Sequence, residues 1–278
     1  MSQQTELIKP EALFKESILI KAAGLLPDKI YYNLSRCGEE EIVRTCKECG
    51  AWETFFYKCS LKYCPQCNWM IARTRAKMLS VWTTTIKQPK HIVLTRRNST
   101  GVLTRKLFRH TMRSFAKIRR TKIFDQMNGG CVSMELTNEG KGWHVHLHVM
   151  ADVRWVDASA LAVEWGKLMG QDFAIVKVKD CRGEDYLHEV TKYACKPSQL
   201  ASWTGEEINQ FIRACTGIKF FSTFGTLFKM RGEIRQFIKD TKPETKPCSC
   251  GACSFKYQTE EQMLCEDAQR KKKRNPRA

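Results

Sequence analysis

Acidic residues are scarce in this sequence: 29 Asp and Glu stand against 47 Lys and Arg, which gives a formal net charge of +18. No apolar run approaches the roughly 20 residues that a membrane-spanning helix needs. The amino terminus carries acidic residues where a secretory signal would be basic and then apolar. These features indicate a cytoplasmic protein, and the excess positive charge predicts nucleic acid, rather than a membrane, as its partner.

The chain of 278 residues is long enough for one domain of ordinary size and a small additional module. Its composition changes along the chain in a way that divides it into four segments. We expect an N-terminal helical segment at residues 1–36, a cysteine-rich module with a basic helix at 37–85, the main domain at 86–240, and a flexible Cys/Lys-rich tail at 241–278.

Alternating apolar and polar residues predict the strands of the main domain, and apolar residues at helical spacing predict its helices. The strands are expected near 91–95, 131–137, 143–150 and 174–180, and the helices near 103–124, 157–169, 184–196 and 205–216. The aromatic-rich segment 220–228 is too ambiguous to assign. This order of elements indicates an α+β fold, in which helices cover an antiparallel sheet.

The helix predicted at residues 103–124 has one apolar side and one basic side. Its apolar residues recur at helical spacing and therefore face the sheet. The basic residues lie mostly on the other side, where they can contact the phosphates of a nucleic acid. The expected DNA contacts are Arg105, Arg109, Arg113, Lys117, Arg119 and Arg120.

The segment 143–149 alternates apolar residues with His144, His146 and His148, so the period of two sends all three imidazoles to one face of a strand. A hairpin with the loop 139–142 pairs residue 136 with 145, 134 with 147 and 132 with 149, and it places Glu135 opposite His146. Imidazoles and a carboxylate on one exposed face form a site for a divalent cation such as Mg²⁺, Mn²⁺ or Zn²⁺.

The segment 184–197 has acidic residues at its start and Pro197 at its end, which suits a helix. Tyr186, Glu189, Tyr193 and Lys196 would share one face of it. A tyrosine hydroxyl with a reference pKa of ~10 is a poor nucleophile unless a metal or a cation assists it. Taken alone, this segment is better explained by packing, and the histidine strand is what favours a catalytic interpretation.

Close Cys-x-x-Cys spacing in a reducing compartment indicates thiolate metal sites rather than disulfides. Two such pairs, Cys46 with Cys49 and Cys64 with Cys67, are separated by a spacing typical of a four-thiolate zinc ribbon. They predict one structural zinc ion. The tail offers a second possible ligand set, namely Cys248, Cys250, Cys253 and Cys265.

Three motifs in order resemble the plasmid rolling-circle replication initiators, a family within the HUH endonuclease superfamily. The segment 91–95, His-Ile-Val-Leu-Thr, is similar to the first motif, and residues 143–148 are similar to the second, the His-hydrophobic-His strand. The segment 193–196, Tyr-Ala-Cys-Lys, is similar to the third. The resemblance covers about residues 86–200 and implies the HUH form of the antiparallel sheet, which is related to ferredoxin-like and RRM-like folds.

The resemblance also implies roles for individual residues. His146 and His148 would bind Mg²⁺ or Mn²⁺ together with Glu135, for which His144 is the alternative. Tyr193 would be the nucleophile. Lys196 would stabilise negative charge, and Glu189 stands where one plasmid branch of the family has a glutamate.

The activity that follows from these roles is the nicking of one strand of single-stranded or cruciform origin DNA. Such a reaction leaves a 5′-phosphotyrosine and frees a 3′-hydroxyl that primes a host DNA polymerase, with a host helicase as accessory. Many of these initiators carry a Cys-x₄-Cys-Pro-x-Cys segment ahead of an Arg-rich helix, which would add Cys59, and with it Cys37, to the possible zinc ligands.

Two other functions use the same residues. A transposase or relaxase of the same superfamily would perform the same nicking reaction on a different DNA target, although no Gly-x₄-Gly-Lys-Ser/Thr motif of a fused helicase is present. A zinc-ribbon DNA-binding protein without catalysis would use the histidines for a structural metal. A metal hydrolase on a β-barrel is disfavoured because the chain has too few alternating strands.

Overall fold

The computed structural model describes residues 10–172, 174–181, 197–240, 248, 250 and 254–259. The helices in these ranges are α1 (Pro10–Lys21), α2 (Asp28–Arg36), α3 (Pro65–Thr83), α4 (Arg105–Ile118), α5 (Ala158–Met169), α6 (Pro197–Ser202), α7 (Gly205–Cys215) and α8 (Gly225–Asp240). The strands are β1 (Glu41–Cys46), β2 (Trp52–Phe56), β3 (Pro89–Thr95), β4 (Met127–Asn138), β5 (Trp143–Val153), β6 (Val176–Asp180), β7 (Phe221–Phe224) and β8 (Phe255–Thr259).

The main sheet has five strands in the order β6-β3-β5-β4-β7, and every neighbouring pair is antiparallel. The predicted α+β fold with an antiparallel sheet is confirmed. The predicted hairpin register is also confirmed, because Leu136 pairs with Val145 and Glu135 with His146. Asn138 pairs with Trp143, so the loop consists of residues 139–142 as expected.

One face of the main sheet carries the larger hydrophobic core. The buried side chains Val145, Leu147 and Val149 of β5 and Met134 of β4 belong to it. The same apolar cluster includes residues of α1, α2, α4, α5 and α7. Burial of this much apolar surface is the main source of stability for the chain.

Helix ends are defined by local capping. The Asp157 carboxylate accepts hydrogen bonds from the backbone N–H groups of Ser159 and Ala160 at the start of α5. Gly170 adopts a left-handed conformation (φ 69°) just after that helix, as helix C-termini commonly require. Thr204 and Glu207 form a capping box at the start of α7.

Among the described residues, α3 and α8 cover the opposite face of the main sheet at one end. A smaller apolar cluster joins Leu79 and Trp82 of α3 and Leu227 and Ile234 of α8 to the sheet residues Met150 and Cys131. Because α3 and α8 cross the sheet at the level of Met150, the part of β5 that carries His144 and His146 extends beyond this cluster. We call this side of the sheet the histidine face.

The second sheet has three strands in the order β2-β1-β8. Strand β8 comes from the segment that was expected to be a flexible tail, and it pairs with β1 in antiparallel register from Cys46–Phe255 to Ile42–Thr259. Lys47 N–H also donates to the carbonyl of Ser254 at 2.8 Å. This part of the carboxyl-terminal segment is therefore attached to the cysteine-rich module near the amino terminus.

One helix differs from the sequence-based expectation, and another, expected near residues 184–196, lies outside the described residues. The helix expected to reach residue 124 ends at Ile118 and is followed by a short 3₁₀ helix at Lys122–Phe124. Pro197 begins α6, a position at which proline is well tolerated because the first helical N–H has no intrahelical acceptor. None of the helices in the described residues is both long and apolar enough to span a membrane.

Candidate functional site

Four polar side chains from three neighbouring strands meet on the histidine face: His91 from β3, Glu135 from β4, and His146 and His148 from β5. Glu135 and His148 are almost completely buried, at 6% and 7% exposure, whereas the His146 side chain is 18% exposed. A carboxylate with so little contact to water requires charged or hydrogen-bonding partners. His146 and His148 are the partners of the Glu135 carboxylate.

Glu135 is the residue that connects the two histidines predicted to bind metal. Its Oε2 atom lies 3.0 Å from Nε2 of His148 and 3.9 Å from Nε2 of His146. The register explains the arrangement, because Glu135 pairs directly with His146 and lies diagonally opposite His148, two residues further along β5. A carboxylate oxygen and two imidazole nitrogens form the donor set of a divalent cation such as Mn²⁺, Zn²⁺ or Mg²⁺.

His91 was not predicted to belong to the site. Its Nε2 lies 3.2 Å from Nδ1 of His148, and the two rings are stacked at an interplanar angle of 15°. With His148 Nε2 directed at Glu135, Nδ1 is held by His91, so both ring nitrogens of His148 have partners. A second hydrogen bond of this type fixes the ring and the tautomer of a metal-ligating histidine. The only sequence signal for His91 was its place at the start of the strand 91–95.

His144 lies beside His146, with ring centroids 4.5 Å apart. Burial lowers the pKa of His144, and Glu139 opposes that shift only in part. A neutral imidazole can coordinate a metal ion or accept a hydrogen bond through its unprotonated nitrogen. The contacts of Glu135 with His146 and His148 nevertheless favour the carboxylate as the third ligand over His144.

Tyr193, Glu189 and Lys196, the residues predicted for covalent chemistry, lie outside the described residues. Their neighbour on the chain, α6, starts at Pro197. In the part of the chain that the structure describes, the histidine face therefore presents the metal-binding half of the predicted site.

The cysteines form two separate clusters. The first, cluster A, consists of Cys37, Cys59, Cys64 and Cys67, whose sulfur atoms all lie within 4.8 Å of one another. The individual Sγ–Sγ distances of 3.4 to 3.6 Å are close to the about 3.8 Å expected for four thiolates around a zinc ion with Zn–S bonds of ~2.3 Å. The backbone N–H groups of Cys59 and Ser60 donate to the sulfur atoms of Cys37 and Cys67.

The thiols of cluster A polarise one another. Hydrogen bonds from Cys59, Cys64 and Cys67 hold the pKa of Cys37 well below that of a free thiol. A thiolate at this position is the form that binds metal. Cluster A is mostly enclosed and contributes Cys37, Cys64 and Cys67 to the main hydrophobic core.

Cluster B consists of Cys46, Cys49, Cys248 and Cys250, again with all sulfur atoms within 4.8 Å. Cys46 Sγ lies 3.6 Å from the sulfurs of both Cys248 and Cys250. Cys46 and Cys49 flank a tight turn that is closed by Gly50 in a left-handed conformation (φ 73°). This cluster joins the end of β1 to the segment that leads into β8.

The prediction that Cys46, Cys49, Cys64 and Cys67 form one site is corrected by these clusters. The two Cys-x-x-Cys pairs belong to different groups, because β1 carries the first pair towards β8 while α3 starts at Pro65 and turns the second pair into the core. Cys37 and Cys59, which were the alternatives, complete cluster A. The tail cysteines Cys248 and Cys250 complete cluster B, whereas Cys253 and Cys265 lie outside the described residues.

The sequence profile of the replication protein family matches residues 54–246, which is more than half of the chain. The match spans the histidine strand, part of cluster A and the segment with Tyr193. The chain belongs to this family of plasmid rolling-circle replication proteins. Comparisons with curated proteins and with solved structures give no match.

Membership of the replication protein family implies binding to origin DNA and nicking in general terms. Family membership also indicates that the nicking reaction serves replication rather than transposition or conjugation. The cysteine clusters can hold a metal such as zinc.

The basic residues of α4 lie away from the histidine face. Phe108 and Phe115 of α4 pack against Phe220 and Phe224 on the core face of the sheet. The exposed basic residues of this helix therefore do not lie on the histidine face, although Arg109 and Arg113 reach the edge of the sheet, where they line a cavity with Lys219. Arg119 is only partly exposed, and its guanidinium lies over the Phe224 ring at 4.6 Å. If α4 contacts DNA, as predicted from sequence, it contacts a segment other than the one on the histidine face.

Proposed function

We propose that this replication protein is a metal-dependent endonuclease and strand-transferase, which nicks one strand of its origin and remains covalently joined to the 5′ end. The proposal is supported chiefly by the contact of one buried carboxylate, Glu135, with both His146 and His148 on the histidine face. A replication protein that only bound DNA would not need that donor set.

The donor set of His146, His148 and Glu135 fits Mg²⁺ or Mn²⁺ by its chemistry, and a bound ion would polarise the scissile phosphate. Glu135 contacts each of the two histidines. In the described part of the chain, however, only the ligand atoms of the cysteine clusters all lie within 4.8 Å of one another. A rotation of the more exposed His146 side chain would bring its Nε2 closer. His148 needs no such change because His91 already orients it.

Tyr193 is the proposed nucleophile. Its phenol loses a proton, Oη forms a bond to phosphorus, and the P–O3′ bond breaks on the opposite side. The electron pair remains on the 3′ oxygen, which takes up a proton and becomes the primer for a host polymerase. The phosphotyrosine ester retains a phosphodiester bond, so the strand can later be rejoined without ATP. Lys196 would stabilise negative charge on the phosphate or the phenolate.

Glu189 is proposed to act as the general base for a water molecule that ends the cycle. This role would place the protein in the glutamate/tyrosine branch of the family. The substrate is expected to be a single-stranded or cruciform form of the origin, because a base step inside a duplex cannot reach a surface site. A host helicase would then extend the unwound region.

The experiment is a covalent-adduct assay. Purified protein, Mn²⁺ and labelled single-stranded origin DNA are resolved on a denaturing gel beside Tyr193→Phe. A labelled band in the wild type that disappears in the variant supports the proposal. If the wild type binds its origin strand but forms no adduct with any origin-derived oligonucleotide, the enzyme assignment fails.

We infer that clusters A and B each hold a structural Zn²⁺ ion. The four-thiolate composition, the sulfur–sulfur distances and the backbone N–H groups directed at sulfur all suit closed zinc sites. Elemental analysis should find two zinc ions per chain, and Cys250→Ser should lower this number to one. Full zinc content in Cys250→Ser, with a loss in Cys253→Ser instead, would mean that cluster B has a different ligand set.

A further inference from the structure

A groove with a basic lining runs along the edge of the main sheet, between α3, α8 and β7. Its volume is about 800 Å³. The basic side chains in it are Arg75, Lys219, Arg231, Arg235 and Lys239. Two strand residues of the groove, Phe221 and Thr223, pair with Ser133 and Cys131 of β4, which puts them on the histidine face, whereas Ser222 between them lies on the core face.

The groove is close to the metal-binding residues. Phe221 pairs with Ser133, and Ser133 pairs with His148, so these three residues form one row across three strands. Neighbouring strands lie about 4.8 Å apart, which places Phe221 roughly 10 Å from His148. The guanidinium of Arg75 lies 4.8 Å from the centre of the Phe221 ring and therefore marks the end of the groove nearest to the histidines.

The cations of the groove have no acidic partners in the described part of the chain. The ion pairs found there involve other residues. The buried Nε of Arg231 has no hydrogen-bond partner among the described residues, and its guanidinium lies over the Phe228 ring, 4.0 Å from the ring centre. Five clustered cations with no carboxylate partner among the described residues form a region of positive potential, which attracts an external anion.

Arg75 gives a second indication of the same kind. Burial lowers the pKa of its guanidinium to about 10, a change that reflects the loss of water rather than contact with a carboxylate. The group is still charged at neutral pH. Keeping a charged guanidinium partly buried without a carboxylate is unfavourable unless a ligand supplies the counter-charge, and phosphate oxygens match a guanidinium well.

The groove also contains an exposed aromatic ring. Phe228 on α8 is 50% exposed and lies among the cations. Proteins that bind single strands combine a basic channel with aromatic side chains on which bases stack. A duplex has no unstacked base to offer to such a ring, so the combination favours a single strand over double-stranded DNA.

We propose that this groove binds the single-stranded DNA next to the scissile phosphate and leads it to the histidine face. The proposal rests on the proposed nicking function and deepens it, because it assigns the path of the substrate to α3, α8 and β7 rather than to α4. The contacts are with phosphates and base faces, so the groove should bind strands of any sequence. Specificity for the origin must then reside elsewhere on the protein.

The test measures binding of fluorescein-labelled oligo(dT) of about 15 nucleotides by anisotropy over a range of salt concentrations, with the full-length, zinc-loaded protein. The groove variant carries Lys219→Gln, Arg235→Gln and Lys239→Gln, three substitutions of exposed side chains. The comparison variant removes the same charge through Lys29→Gln, Lys58→Gln and Lys122→Gln, three exposed lysines that do not line the groove. Circular dichroism and zinc content verify that both variants are folded.

We expect the groove variant to bind oligo(dT) at least tenfold more weakly than the wild type, and the comparison variant to stay within about twofold. Loss of three phosphate contacts should reduce the slope of log K against log salt by about 2, since each contact to a single strand contributes roughly 0.7. Phe228→Ala should weaken binding about fivefold without changing the slope. Equal binding by both triple variants, or an equally weakened binding of duplex DNA, would overturn the proposal.

The adduct assay separates this proposal from the proposed function. If the wild type forms the adduct and the groove variant binds and reacts like it, the groove assignment is wrong while the nicking function stands. If the wild type forms no adduct but the groove variant still loses oligo(dT) binding, the groove is a single-strand site of a protein that does not nick.

Discussion

The two faces of the five-stranded sheet are built from the same strands and serve different purposes. On β5, Leu147 is completely buried in the main core, whereas the next residue, His148, joins Glu135 and His91 on the histidine face. In the part of the chain that the structure describes, the larger hydrophobic core covers the first face, whereas α3 and α8 cover one end of the histidine face. The alternation of side chains along a single strand is therefore enough to place core residues on one face and the candidate metal ligands on the other.

The largest expected effect comes from metal removal, which should act on one face only. Brief treatment with a chelator should abolish adduct formation, and Mn²⁺ should restore it, because the ligands on the histidine face are accessible through His146. Cluster A should keep its zinc ion, since Cys37, Cys64 and Cys67 are fully buried, whereas cluster B, in which Cys49 and Cys250 are exposed, can lose its ion to the chelator. The adduct assay and elemental analysis of the same sample check both statements. Undiminished nicking after removal of Mg²⁺ and Mn²⁺ would contradict the role of the histidine face.

The next prediction compares two adjacent residues of β5. His148→Ala should lower the nicking rate by at least about 100-fold, an effect expected for loss of a metal ligand, and should also cost about 1–3 kcal/mol of unfolding free energy because Glu135 and His91 lose a buried hydrogen-bond partner. Leu147→Ala should cost about 2–5 kcal/mol of unfolding free energy and leave the nicking rate of the folded protein nearly unchanged. Single-turnover kinetics and urea unfolding measure the pair. An inactive Leu147→Ala of normal stability would break the division between the faces.

A smaller effect is expected where the core face supports the histidine face. The indole Nε1 of Trp165 donates to the carbonyl of Thr95 at 2.7 Å, and Thr95 pairs with His146. Trp165→Phe leaves this carbonyl without its donor and should reduce stability by about 1–3 kcal/mol. The nicking rate below the melting range should stay within twofold. A large loss of activity without a loss of stability would mean that Trp165 positions His146.

The smallest effect should be that of His144→Ala. Because Glu135 contacts His146 and His148, His144 is not needed as the third ligand, and the nicking rate should fall less than about fivefold. Measured beside Glu135→Gln, this variant decides between the two candidates for the third ligand. A loss as large as that of His148→Ala would assign the position to His144.

Alternation made the main sheet predictable from the sequence. The period of two in β5 and the apolar residues of β4 admit only one register that buries both sets, so the pairing of Glu135 with His146 followed directly. Helix α5 was predictable for a similar reason, because its apolar stripe ends at Gly170. Local pattern carries this kind of information well.

Contacts between distant segments were not predictable in the same way. Cysteine spacing suggested one zinc ribbon, but cluster B pairs Cys46 with Cys248, and no local pattern encodes a contact across that separation. The side of the sheet on which α4 packs also depends on the chain path rather than on its amphipathic stripe. His91 was overlooked because a single histidine at a strand end has no periodic partner.

The central claim, that the histidine face is a metal centre, is tested most directly by an electron paramagnetic resonance titration of the zinc-loaded protein with Mn²⁺. The account predicts one Mn²⁺ site in the wild type and in Tyr193→Phe, and a strong loss of affinity in both His148→Ala and Glu135→Gln. Equal binding of Mn²⁺ by the wild type and these two variants would place the metal elsewhere and contradict the account.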